Sequence, residues 1–140
     1  MPEIEQIVRG VIKDDNKILL CHGKGKENWF FPGGHIDPGE TAPVALKREI
    51  KEELNEECEV GEFLGICENS YVLDGNTIHE VNQVYEMELP AGSSTVSQEN
   101  HLEFKWFTVN EMNDLLVYPI SLRNAIINNE KGFTLKDFSN

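Results

Sequence analysis

The stretch from Thr41 to Leu54 constrains the fold more than any other, because three chemically different stripes run along it at helical spacing. Thr41 is suited to cap a helix, and Pro43 falls in the first turn, where its missing N–H costs nothing. Leu46, Ile50 and Leu54 recur every fourth residue and form a core-facing stripe. At about 100° per residue, Glu49, Glu52 and Glu53 share an arc of roughly 100° with the small Ala45. Glu56 would continue that arc if the helix ran further. Lys47 and Lys51 face solvent, and Arg48 borders the acidic stripe.

A helix with one apolar stripe needs a partner surface, and its neighbours in sequence read as strands. Ile7 to Leu20 is strand, Asp14-Asp15-Asn16 turn, strand. After the polar loop His22 to Asn28, Trp29-Phe30-Phe31 reads as a short aromatic strand closed by Pro32-Gly33-Gly34. Phe63 to Ile66 and Tyr71 to Leu73 read as strand, and Asp74-Gly75-Asn76 turns the chain into Ile78 to Leu89 as a hairpin. Pro90 to Ser97 is a loop, and Leu102, Phe104 and Trp106 alternate with charged residues as a further strand. Val109 to Leu116 and Ile120 to Ile127 have helical spacing, and the polar tail from Asn128 is expected to fray. This order predicts an α/β fold, a mixed sheet in an α/β/α sandwich, with residues 1–140 as one domain.

Composition narrows the partners. Twenty-five carboxylates against 12 Lys and Arg give a net charge of -13. Such a surface disfavours nucleic-acid polymers, whose binding scales with the phosphates that basic residues neutralise. It still admits a short anion if a divalent cation sits between the two. Cys21, Cys58 and Cys67 lie in apolar surroundings without a CxxC pair, as expected of buried reduced thiols. Met1 to Gln6 is acidic rather than basic, and no apolar run nears the roughly 20 residues that span a bilayer. A soluble, cytoplasmic protein without a membrane partner is the expectation.

Like charges at helical spacing repel, and a hard cation reverses that sign. Mg²⁺ takes one or two carboxylates, keeps waters and shares phosphate oxygens with a substrate. Taken alone, the acidic triplet reads more readily as a solvated helix face than as a metal site. Just before it, however, Gly33, Gly34 and Gly39 lie within seven residues and let backbone groups approach a ligand closely. His22, His35 and His79 have no metal-ligand spacing, so a histidine zinc site is not expected.

Together these features resemble the signature of the Nudix hydrolases, a loop–helix–loop element. Gly34, Glu40, Arg48, Glu49, Ile50, Glu52 and Glu53 match it across the 23 residues Gly34–Glu56. Asn55 stands where Gly is usual and Glu56 where an apolar residue is usual. Asn is the next most tolerant residue for a left-handed helix end, whereas Glu56 puts a charge where a core contact is expected. The flanking Trp29 to Gly34 and the late Trp106-Phe107 are also Nudix-like.

The resemblance implies that Glu52, Glu53 and the carbonyl of Gly33 bind Mg²⁺, with Mn²⁺ as a substitute. Glu49 follows as a metal ligand or as the base that deprotonates water. It places Arg48 as the residue that holds Glu49, and Glu40 as acting through a neighbour or a water. A further catalytic carboxylate is expected from a later loop, Glu99 ahead of Glu103 and Glu80. Lys24 and Lys26 are candidates for substrate phosphate, although exposed lysines often do nothing specific. Gly34 is a candidate for close contact with substrate. Tyr71 is a candidate to stack on a base, as are Trp29, Phe30 and Tyr85, though at least two of these aromatics are expected in the core.

The implied activity is hydrolysis of a phosphoanhydride in a nucleoside diphosphate linked to another moiety. A nucleoside triphosphate giving monophosphate and pyrophosphate is preferred. Tyr71 occupies the region where the ADP-ribose group of the family carries a proline, which lowers that subclass. A dinucleoside polyphosphate or nucleotide sugar stays open, as does a Nudix-fold module that senses a nucleotide without cleaving it. A homodimer is admitted by analogy alone.

Overall fold

The computed structural model describes residues 3–138, so Met1, Pro2, Ser139 and Asn140, which belong to the terminal segments read above, lie outside the described residues. Strand β1 (Glu3–Asp14) turns through Asp15-Asn16 into β2 (Lys17–Gly23), and a short β3 (Gly33–His35) follows. Helix α1 (Ala42–Leu54) leads into the long hairpin of β4 (Glu59–Leu73) and β5 (Asn76–Glu88). Then come β6 (Leu102–Thr108), α2 (Val109–Met112), α3 (Ile120–Ile127) and β7 (Phe133–Asp137). The strands line up as β6-β2-β1-β5-β4-β7, with β3 also on β1. The sheet is mixed: β1 runs parallel to β5 and β4 parallel to β7, and the other pairs are antiparallel.

Strand alternation explains why helices cover both faces. Val8, Ile12 and Leu19 join Ala42, Ala45, Leu46, Ile50 and Leu54 of α1 in one buried cluster. Val11, Ile18 and Leu20, one residue out of step, join Met112, Leu122, Ala125 and Ile126 in another. The predicted α/β/α sandwich is the fold observed. Gly10 is small for a packing reason, because a Cβ there would lie 2.1 Å from Met87 Sδ.

Helix α1 begins as expected: the Thr41 hydroxyl accepts from the Val44 N–H at 3.4 Å. It ends at Asn55, which adopts φ 55° and ψ 38° and donates its N–H to the Lys51 carbonyl at 3.0 Å. Asn thus does the work of the usual glycine, and Glu56 is left half-exposed outside the core.

Four expectations differ. Trp29 and Phe30 make only isolated bridges, to Val117 and Cys21, because the strand pairing resumes at Gly33. The helix expected over Val109–Leu116 stops at Met112, where Asn113 and Asp114 divert the chain so that Val117 can be buried. Over its described residues the tail is built into the sheet: Asn129 and Gly132 turn it at positive φ, and β7 adds to β4 with Phe133 buried. The two runs read as separate strands, Phe63–Ile66 and Tyr71–Leu73, form one continuous β4, bulged near Phe63.

The left-handed helix end gives a test. Asn55→Ala should cost about 1 kcal/mol, since a Cβ without a local polar partner is strained there, while Asn55→Gly should be near neutral. Urea midpoints measure both; an alanine variant as stable as the parent would contradict this account of the helix exit.

Candidate active site

Glycines bring the loop onto the helix. Gly33 has φ +146°, and a Cβ there would meet the Val8 carbonyl oxygen at 1.9 Å, so only glycine lets β3 lie so close to β1. At Gly34 a Cβ would lie 2.5 Å from Glu49 Cδ. The Glu49 carboxyl therefore rests directly on the Gly34 backbone, which unites two of the residues expected at the site.

Arg48 organises the acids around it. Its Nε donates to Glu40 Oε2 at 2.7 Å and its Nη2 to Glu40 Oε1 at 2.9 Å, a bidentate pair. It also donates to the His35 carbonyl at 3.0 Å and to Glu49 Oε1 at 3.1 Å, and it reaches Glu52 at 3.4 Å. Glu40, expected to act only indirectly, is thus the main partner of Arg48, ahead of Glu49. The Arg48 hydrogen bonds and the Asp37 N–H hold the Glu40 carboxyl down at about 2.

Glu53 is the opposite case. It is only 5% exposed, and its Oε1 is buried with no hydrogen-bond partner among the described residues. Burial first, then the charge of Glu49, pushes its carboxyl up to about 8; Glu99 and Glu52 add to this and Arg9 opposes it. Burial likewise raises Glu49, against the pull of Arg48. The nearby Cys21 thiol is raised by burial and by Glu53.

The expected set of Glu49, Glu52 and Glu53 does not converge as a closed cage. Among the described residues no three acidic, histidine or cysteine side chains are arranged to hold a metal by themselves. Arg48 draws Glu49 and Glu52 to itself, and the Glu52 side chain is 53% exposed, while Glu53 stays buried. This arrangement suits Mg²⁺, which needs only one or two carboxylates and completes its shell with water and phosphate. A buried acid with an unsatisfied oxygen beside three other carboxylates is the donor chemistry such a cation matches.

The late loop docks where the acids are. The Gln98 N–H donates to the Glu53 carbonyl at 2.7 Å, and Glu99 is near enough to raise Glu53. Of the alternatives, Glu103 is held by His22 at 2.8 Å, and Glu80 lies in a separate cavity with Arg9 and Tyr71. Lys24 shares a surface depression with Glu99, whereas Lys26 is absent from it and uses its carbonyl to accept from His22 at 2.8 Å. Trp29 stacks on His22 with ring centroids 3.7 Å apart.

Sequence reading missed Arg9, Asn69 and Asn82. Arg9 donates to the Phe31 carbonyl at 3.1 Å and to Asn82 Oδ1 at 3.3 Å, and its charge reaches Glu53. The available signal was a polar residue at a position within a strand whose neighbours are buried.

The NUDIX domain model matches residues 5–126. The chain is 29% identical over 120 residues to the CTP pyrophosphohydrolase of Escherichia coli, which covers 83% of this chain and 82% of that one. It is 30% identical over 121 residues to the nucleoside triphosphatase NudI of an Enterobacter species, covering 78% and 85%. The solution structure of the E. coli ORF135 protein superimposes with a TM-score of 0.64 at 27% identity, over 90% of each chain. A NUDIX hydrolase from Nitrosomonas europaea shares the fold, with a TM-score of 0.71 at 18% identity and 93% coverage of each chain.

Glu53 makes a stability prediction. Between pH 4.5 and about 8 the folded chain holds a proton there that the unfolded chain has released. Metal-free stability should therefore fall as pH rises through that window, and Glu53→Gln should flatten the fall, melting about 5 °C or more above the parent at pH 8. Thermal melts in chelator at pH 5 and pH 8 check this; parallel curves for the two proteins would refute it.

Proposed function

We propose that this chain, which belongs to the Nudix hydrolase family, is a Mg²⁺-dependent pyrophosphohydrolase acting on nucleoside triphosphates. The products are the nucleoside monophosphate and pyrophosphate. The observation that carries the reading is the buried Glu53 oxygen, unpartnered among the described residues and subject to the charges of Glu49, Glu99 and Glu52, on the helix whose Glu49 rests against Gly34. The names of two relatives that each cover most of the chain, a CTP pyrophosphohydrolase and a nucleoside triphosphatase, support the substrate class.

Glu53 and Glu52, with the Gly33 carbonyl, would hold the cation, and Mn²⁺ would substitute for it. When bound, Mg²⁺ supplies charge neutralisation to the diphosphate and polarises the phosphorus under attack. The protein's own groups do the rest. Glu49 is raised by burial and held at one oxygen by Arg48, so it is oriented to accept a proton from the attacking water. Glu99 enters from the docked loop as a second acid at the same place. Arg48, locked to Glu40, is a positioning residue that keeps Glu49 aimed. Arg9 carries positive charge toward the acids from the strand side and is suited to a substrate phosphate. We further propose that the 140 residues work as one domain.

The test is pyrophosphate release over a panel of nucleoside triphosphates, dinucleoside polyphosphates and nucleotide sugars with Mg²⁺. Glu53→Gln should cut turnover by about 10²–10⁴-fold, the range for loss of a group acting directly in such chemistry. Glu99→Gln should also lower turnover strongly without changing the fold. Tight binding without turnover of any compound would favour a nucleotide-sensing module instead, and full activity in Glu53→Gln would overturn the proposed roles.

A further inference from the structure

A second cavity, of about 390 Å³, opens on the sheet beside Arg9, and its lining includes Phe30, Asn69, Tyr71, Glu80 and Tyr118. Three aromatic rings around a small set of polar groups is the usual make-up of a site for a flat ligand. Arg9 lines this cavity, and its charge also acts on Glu53 of the acidic centre.

The polar groups inside it have fixed senses. Arg9 only donates, and its Nε bonds Asn82 Oδ1 at 3.3 Å. The Asn82 amide nitrogen must then point the other way, and it donates to the Cys67 carbonyl at 3.1 Å and to Asn69 Oδ1 at 2.8 Å. Asn82 is fully buried and Asn69 only 6% exposed, so this chain of bonds is not remade by solvent. Asn69, which lines the cavity, spends its oxygen on Asn82, which leaves its NH₂ group as the donor it has to offer there. No acceptor takes that group among the described residues.

Glu80 supplies the complement. It is paired directly across the ladder from Asn69, so the two side chains share one face of the sheet. Its carboxylate lies beside the Tyr71 hydroxyl and makes no ion pair within 4.0 Å among the described residues. A carboxylate only accepts. The cavity therefore offers a fixed donor next to a fixed acceptor, between aromatic rings.

We infer that this cavity seats the nucleobase and selects bases that carry an exocyclic amine beside a ring acceptor. Glu80 accepts from the amine, and the Asn69 NH₂ donates to the neighbouring ring nitrogen or carbonyl. Cytosine, adenine and guanine carry such an amine; uracil presents a carbonyl in place of cytosine's amine, which would face the Glu80 carboxylate without a hydrogen to share, and hypoxanthine has only a ring C–H in place of guanine's amine. A site that places a buried polar group for one partner rejects the analogue that leaves it unpaired. The inference rests on the nucleotide reading above and adds the base class to it.

Calorimetry with non-hydrolysable α,β-methylene analogues of CTP, UTP, GTP and ITP, in Mg²⁺, tests it without requiring turnover. The cytosine and guanine analogues should bind about 10–100-fold tighter than their uracil and hypoxanthine counterparts, the factor for one hydrogen bond to a charged group. Glu80→Gln carries an amide that both donates and accepts, so it should bring each pair within about threefold. Asn69→Asp, which exchanges donor for acceptor, should weaken the cytosine and guanine analogues. Equal binding of all four by the parent protein, or binding of none, would overturn the inference, and that comparison needs no variant to fold. A base preference in binding with no hydrolysis of the triphosphates would instead sink the hydrolase reading and leave this one standing.

Discussion

An acidic side chain buried in a protein is costly unless something opposite in charge or rich in hydrogen bonds meets it. One oxygen of Glu53 has no hydrogen-bond partner among the described residues, and only the charge of Arg9 opposes the acids around it, yet the surrounding structure over-determines its position. Helix α1 is pinned by Leu46, Ile50 and Leu54 in the core, so the acidic stripe cannot rotate away. The late loop is bonded to the Glu53 carbonyl, and Gly34 lies against Glu49. Packing energy from the apolar stripe thus holds the acids in a place they would not choose alone. The same frame gives Glu40 and Arg48 an opposite character: both are strongly paired, half-exposed or less, and stay charged.

The sheet connects this centre to the rest of the molecule through the alternation of β1. Val8, Gly10 and Ile12 face α1, and the residues between them face the other layer, among them Arg9. One strand therefore both builds the floor under the acidic helix and carries a guanidinium that bonds Asn82 and whose charge acts on Glu53. The proposed chemistry and recognition thus draw most of their residues from elements that share a core, with Glu99 supplied by the loop bonded to the Glu53 carbonyl.

Much of this was legible in the chain itself. The amphipathic pattern of Thr41–Leu54 specified the helix, its cap and the face on which Glu49, Glu52 and Glu53 cluster. Asn55 was readable as a left-handed helix end because few residues tolerate that conformation. Other features were hidden because they depend on contacts between distant segments. Phe133-Thr134-Leu135 is too short and too polar in context to announce β7, which exists because β4 offers it an edge. Val109–Leu116 has helical spacing, yet the burial of Val117 and its bridge to Trp29 cut the helix short. Arg9, Asn69 and Asn82 carry no local motif; only the register of β1, β4 and β5 brings them together.

The central proposal is that Glu53 is protonated in the metal-free protein near neutral pH and releases that proton to the buffer when a divalent cation binds. Titrating Mn²⁺ into the protein at pH 7, in buffers of different ionisation enthalpy, counts protons released per metal bound. The account predicts release of most of one proton from the parent and almost none from Glu53→Gln. Metal binding with no proton release, or the same release in both proteins, would contradict it.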